Sequence, residues 1–300
     1  MISASACAKT ILFGEHAVVY GEPAIAIPLS AIRTRATLTP GNSAFRVISE
    51  TTGLNRPINR IYPKSGLYRL LMLIRDEFQF EEFPKAVLKI SSDIPIASGL
   101  GSGAALSAAV IRAFAEFYDR HPDNETVNRM VYEIEKIYHG TPSGIDNTVI
   151  VYEKPMIFTK GAGFSELKAD IRALPLLAAD TGIRSRTIDA VSAVRANYEF
   201  NKSALHQIGT VVREAASALQ NMDLPEIGRL MNENQRLLQA IDVSCPELDE
   251  LTELALKHGA FGAKLTGAGR GGNFIVLCPD QEHAATLRSV YEERRIRVIV

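Results

Sequence analysis

Residues 91–114, SSDIPIASGLGSGAALSAAVIRAF, set three glycines within five positions and turn at once into an apolar run. The segment before them, KAVLKISSDIP, alternates as a strand does, and after them Leu106, Val110, Ala113, Phe114 and Phe117 recur at helical spacing. Strand, glycine loop, helix is the order in which backbone N–H groups and the positive end of a helix dipole converge on an anion. Glycine lets the main chain approach oxygen atoms that a Cβ would keep away. Ala104, Ala105 and Ala108 keep the first turns of the helix slim. Taken alone, the pattern fits a plain connecting turn equally well.

Two named phosphate motifs fail on this text. A Walker loop ends in Gly-Lys-Ser/Thr, and no lysine occurs between Lys89 and Lys136. A dinucleotide fingerprint on Gly99, Gly101 and Ala104 needs an acidic residue closing a second strand about 20 residues on. That position falls inside the long helix, near Phe117 to Asp119.

Around the loop, residues 66–79 suit a helix with Leu67, Leu70, Leu71 and Ile74 on one stripe. Asp123 or Asn124 caps another, striped by Val127, Met130, Val131, Ile134, Ile137 and Tyr138 and stopping at His139-Gly140. Strands are expected at 3–13, in HAVVY and AIAIPL on either side of Gly21-Glu22-Pro23, and in TRATLTP, FRVIS, TVIVY and KPMIFTK. A polar, glycine-containing passage at 161–170 marks the expected boundary between domains 1–165 and 166–300. Helical patterns dominate 185–258, with Gly259 as a stop, before AKLTGAGRGG, the strand NFIVLC, a helix and IRVIV. Strands and helices mixed without strict alternation indicate an α+β protein.

Lysine plus arginine total 33 against 34 acids, which removes any general pull toward nucleic acid or an anionic membrane. No run of about 18 apolar residues offers a membrane span. MISASACAKTILFGEH lacks the basic segment of a signal peptide. Cys7, Cys245 and Cys278, odd in number and widely spaced, read as free thiols. A soluble cytoplasmic protein is the expectation.

Two further segments bear on the glycine loop. EKIYHGTPSGIDN ends a helix with Glu135 and exposes Asp146 on a glycine-containing turn, and KLTGAGRGGNF, the third glycine-bearing loop in chain order, is set before a strand. Singly, each residue has a bland reading: Asp146 bonds its own turn, Glu135 lies on a solvated helix face, Lys9 snorkels from a strand end and His16 is structural. Together with KTILFGEHAVVYGEPA at 9–24, PIASGLGSGAA at 95–105, HGTPSGIDN at 139–147 and KLTGAGRGG at 264–272, they form an ordered set spanning nearly the whole chain. In that set the chain resembles the mevalonate kinases of the GHMP kinase superfamily, those of archaeal type.

The resemblance implies an amino-terminal α+β domain with a left-handed βαβ crossover and a ferredoxin-like carboxyl-terminal domain. It implies ATP and mevalonate as substrates, Mg²⁺ as cofactor and a homodimer as a possible assembly. Pro95, Ile96, Ala97, Ser98, Gly99, Leu100, Gly101, Ser102, Gly103, Ala104 and Ala105 would then hold the ATP phosphates. Glu135, with Ser102, would bind Mg²⁺. Asp146 would act on the C5 hydroxyl, as a base or as an orienting group, with Lys9 beside it. Glu15, His16 and Thr181 would lie near mevalonate. Two residues depart from the family pattern: Gly103 stands where a second serine is usual, leaving Ser102 or a water to complete the metal sphere, and Arg270 interrupts the third glycine run. Arg270 points either to phosphate or to solvent, and solvent is slightly favoured.

Overall fold

The run ISASACAKTILF forms β1 (Ile2–Phe13), buried from Ala6 to its end. The computed structural model describes residues 1–96, 98–140 and 142–300; of the expected site residues, Ala97 lies outside them, as does Thr141 of the HGTPSGIDN segment. The chain divides into two compact units that are not two consecutive lengths: Met1–Ala8, Leu29–Ile96 and Gly101–Glu153 make one, and Lys9–Pro28, Ala97–Leu100 and Lys154–Val300 the other.

In the first unit β2 (Ala24–Pro40), β3 (Arg46–Ser49), β4 (Leu54–Pro57) and β5 (Ala86–Ser92) lie in the order β4-β3-β5-β2. β3 and β5 run parallel, and β5 pairs β2 antiparallel from Thr34↔Ser92 to Pro40↔Ala86. Four helices belong to this unit: α1 (Gly66–Phe78), α2 (Ser102–Phe117), α3 (Asn124–His139) and α4 (Ile145–Tyr152). Ser65 caps α1 and Asp123 caps α3, each accepting from the backbone N–H three residues on. Ala104, Ala105, Ala108, Val110, Ile111 and Phe114 of α2 are buried, and α2 packs against the other three helices.

In the second unit β6 (Met156–Thr159) pairs β7 (Gly163–Glu166). A separate antiparallel sheet of β8 (Leu176–Asp180), β9 (Gly262–Leu265), β10 (Asn273–Leu277) and β11 (Arg297–Val298) has the order β11-β8-β10-β9. Helices α5 (Thr187–Ala196), α6 (Tyr198–Gln220), α7 (Leu224–Ala240) and α8 (Pro246–Lys257) separate β8 from β9, and α9 (Gln281–Glu293) separates β10 from β11. Fourth, first, third, second is the ferredoxin-like order. Leu12, Phe13, Ile25 and Ile27 are buried in the same core as Leu177, Phe274 and Tyr291. Where α7 crosses β9, a Cβ on Gly228 would stand 2.5 Å from backbone atoms of Phe261.

Three expectations are corrected. TVIVY, read as a strand, lies in helix α4: Gly144 opens it at a φ of 95°, and Val149, Ile150 and Val151 are all buried, so packing overrides β-branched propensity. HAVVY is a short 3₁₀ turn, Ala17–Tyr20, because Gly14, His16 and Gly21 all take positive φ and break the extended path. AIAIPL and TRATLTP belong to one 17-residue strand, β2. The polar passage at 161–170 also carries a strand, β7. Cys7 and Cys278 are buried and Cys245 half-buried, all as free thiols. Among the described residues no helix is long and apolar enough to cross a membrane.

Candidate active site

In the second unit, three remote segments are sewn together. β1 brings Lys9, whose N–H donates to Leu100 O at 3.1 Å, and then Thr10 and Ile11. Thr266 donates its hydroxyl to Ile11 O at 2.9 Å, accepts Ile11 N–H at 3.2 Å and lies 2.9 Å from the Thr10 hydroxyl. Asn273 Nδ2 donates to Ser98 O. The segments 9–16, 98–100 and 264–273 are thus held in register by buried hydrogen bonds, whose loss would strand polar groups away from water.

The Gly14–His16 turn sits on this seam. Gly14 N–H donates to Asn234 Oδ1 at 3.2 Å, and His16 Nε2 donates to Ala268 O at 2.9 Å. A carbonyl can only accept, so the imidazole proton is on Nε2 and Nδ1 remains an acceptor. Burial pushes the His16 imidazole down to about 4, with the Arg270 charge adding to the effect. Between pH 6.5 and 4 the unfolded chain binds a proton that the folded chain refuses. Stability present above that window is lost as pH falls through it, by up to about 3 kcal/mol. Urea midpoints at pH 7 and pH 4.5 should therefore differ less in His16→Gln than in the parent.

Glu15 is completely buried and paired with Lys264, equally buried, whose ammonium also donates to Leu265 O at 2.7 Å. Burial works against both charges, raising the Glu15 carboxyl and lowering the Lys264 ammonium, and their contact returns part of that cost. Thr181 follows β8 and donates its hydroxyl to Gly272 O at 2.9 Å, placing it on the third glycine loop. Arg270 lies at the surface, on the favoured solvent side: its guanidinium bonds Asp242 O at 3.1 Å and the exposed Asp242 Oδ2 at 2.9 Å, while its N–H reaches Val243 O at 2.8 Å. Ser185 holds the loop from a further side, donating to Gly269 O at 2.6 Å. The loop is thus tied by hydrogen bonds to Thr181, Ser185, Asp242 and Val243.

The first unit carries the other candidates. Gly101 precedes α2 at a φ of 75°, and no side chain caps that helix. Its first N–H groups are the donors that an anion would satisfy. Ala104 and Ala105 are buried, and Pro95 and Ile96 precede the loop, Ile96 with its side chain exposed. Glu135 is buried on α3, and a Cβ on Gly103 would stand 3.2 Å from Glu135 Oε1. The serine usual at 103 would crowd that carboxylate; the glycine gives it room. Asp146 lies half-buried in the first turn of α4, where the helix dipole favours a carboxylate. Asn147 donates to Asn128 Oδ1 at 2.6 Å, tying α4 to α3. At the other end of α4, Arg112 donates to Val151 O at 2.7 Å and to Glu153 at 2.8 Å, and Arg33 holds the same carboxylate.

A hard cation fits this unit. Glu135 and Ser102 offer oxygen donors, and among the described residues no group of three or more His, Cys, Asp or Glu could hold a metal. An ion held here would need oxygen ligands beyond the protein's own, such as the waters and phosphate oxygens that Mg²⁺ commonly takes.

Sequence reasoning did not single out Lys264, Thr266 or Asn273, although all three lie in or beside the quoted KLTGAGRGG. It also missed the Arg33–Arg112–Glu153 cluster, whose members are up to 120 residues apart. No local pattern marks such a cluster.

Residues 65–154 match the GHMP kinases N terminal domain, and residues 215–295 match GHMP kinases C terminal. A mevalonate kinase of Thermococcus onnurineus is 34% identical, the alignment covering 94% of this chain and 90% of that protein. The crystal structure of the Methanococcus jannaschii mevalonate kinase superposes with a TM-score of 0.88 at 27% identity, covering 99% of this chain and 96% of that one. The L. major mevalonate kinase in complex with R-mevalonate gives 0.83 at 29% identity, covering 99% and 94%.

Proposed function

Because the chain belongs to the GHMP kinase family, and the relatives just named are mevalonate kinases, we propose that it transfers the γ-phosphoryl group of ATP to the 5-hydroxyl of (R)-mevalonate. The products are 5-phosphomevalonate and ADP, a step toward isoprenoid precursors. The observation that carries this reading is the likeness to a mevalonate kinase over 94% of the chain.

In this reading each segment has a task. The N-terminus of α2 and the loop ahead of it hold the ATP phosphates through main-chain N–H groups. Glu135 and Ser102 would hold Mg²⁺, whose charge would offset that of the phosphate oxygens. Asp146 faces the C5 hydroxyl, orienting it and taking its proton as the new P–O bond forms. Lys9, nearly fully buried, stabilises charge on the transferring phosphoryl group. Neutral His16 offers Nδ1 as an acceptor to a substrate hydroxyl, and Thr181 keeps the third glycine loop in place. A homodimer belongs to the same reading, and sedimentation of the purified chain decides it.

The test supplies ATP and Mg²⁺ with mevalonate, phosphomevalonate, galactose or homoserine in turn and follows ADP release. Turnover should be confined to mevalonate, with the product identified by phosphorus NMR. Turnover on one of the others, without any on mevalonate, sinks the assignment.

A further inference from the structure

Lys264 and Glu15 are 249 residues apart in sequence, yet their side chains meet at 0% exposure. A buried ion pair is a poor way to join two segments, since apolar residues of similar volume hold them as well or better. Something other than adhesion is served. Glu15 sits between Gly14, bonded to Asn234, and His16, bonded to Ala268, so its side chain governs how the turn is seated. One carboxylate oxygen is taken by Lys264; the other, Oε2, is buried and has no hydrogen-bond partner among the described residues. Lys9 lies close enough to act on the same carboxyl through its charge.

We infer that Lys264 is a positioning residue for the phosphoryl transfer, fixing the Glu15 carboxylate behind the Gly14–His16 turn and beside Lys9. The inference rests on the kinase reading above. Glu15 is then one anion under the influence of two buried ammonium groups, Lys264 by direct contact and Lys9 through its charge. Lys264 supplies the rigid half of that arrangement from β9, the strand that leads into the third glycine loop. Without Lys264, the buried carboxyl loses its direct partner, takes up a proton, and no longer seats the turn or shapes the field at Lys9.

A double-mutant cycle separates this role from a merely structural one. Lys264→Met, Glu15→Gln and the double variant are compared with the parent for kcat, for both KM values and for urea midpoints. Lys264→Met should lower kcat about 10- to 100-fold, the range expected when one fixed electrostatic group is lost. Glu15→Gln should do the same, and the double variant should lose no more than either single change. Stability should behave differently. Each single variant leaves a buried group without its partner and is destabilised, whereas the neutral pair in the double variant regains most of the loss.

The signature is thus recovered stability without recovered kcat. A double variant whose kcat returns to within threefold of the parent overturns the inference, because the pair is then only structural. So does a folded Lys264→Met enzyme with parental kcat. If Lys264→Met does not fold, the double variant carries the same decision by itself. A parent protein inactive on mevalonate overturns the kinase reading and this inference together, while parental activity with an unimpaired double variant overturns this inference alone.

Discussion

Asp146→Ala is expected to lower kcat about 10³-fold while ATP affinity stays within about threefold. Asp146 stands in the first turn of α4, with the helix opened by Gly144 and tied to α3 by the Asn147–Asn128 bond. Both ends of α4 are anchored, the far one by Arg112 on Val151 O, so the carboxylate is aimed by the scaffold rather than by its own loop. Removing it leaves intact the N-terminus of α2, where the proposed function seats the ATP phosphates, which is why binding and turnover should separate. Steady-state kinetics and calorimetric titration with a nonhydrolysable ATP analogue measure the two. Asp146→Asn then distinguishes the two duties of the group. An asparagine can orient a hydroxyl but cannot take its proton, so activity within about tenfold of the parent identifies orientation as the main contribution. A loss as deep as that of alanine identifies the proton acceptor.

Gly228→Ala is expected to destabilise the second unit by about 3 kcal/mol or more and to abolish activity at moderate temperature. The added Cβ would lie 2.5 Å from the carbonyl carbon, the oxygen and the Cβ of Phe261. Gly262 repeats the constraint from the strand side, its own Cβ falling 2.7 Å from Gly228 Cα. Backbone faces backbone, so no side chain can swing aside and α7 must lift from β9. That strand carries Lys264 and leads to Thr266, so the lift also opens the seam to β1. A lowered urea midpoint with a matching loss of ADP release is the expected result. An alanine variant as stable as the parent would show that α7 and β9 slide past one another at little cost.

Much of this was legible in the sequence, for reasons that differ by element. The strand–glycine loop–helix order at 91–114 survives in β5 and α2, because alternation and helical spacing both report burial directly. The cap of α3 follows from a side-chain oxygen on Asp123 placed three residues before an unpaired N–H. Helix α4 was misread because TVIVY is β-branched and apolar, and a short buried helix carries no periodicity to contradict a strand. Glu15, His16 and Thr181 were identified through resemblance, but their partners were not. The Lys264–Glu15 pair and the Thr266 bonds join residues 249 and 255 positions apart, and the Arg270–Asp242 bond residues 28 apart; all arise from topology and leave no local trace in the sequence. Arg270 shows the limit well: in sequence it is a basic residue in a glycine loop, and only the position of Asp242 after α7 decides where it turns.

The membership of residues 9–28 in the second unit has a consequence for how the chain is made. Leu12, Phe13, Ile25 and Ile27 leave the ribosome long before Phe274 and Tyr291, which complete their core. Throughout that interval this apolar strip has no native cover, so the growing polypeptide must keep it from competing partners until β10 and α9 arrive. Such remote closure slows folding. Chaperone demand in the cell should accordingly track the time between these two moments, and slowing translation of the carboxyl-terminal half should lengthen the vulnerable period.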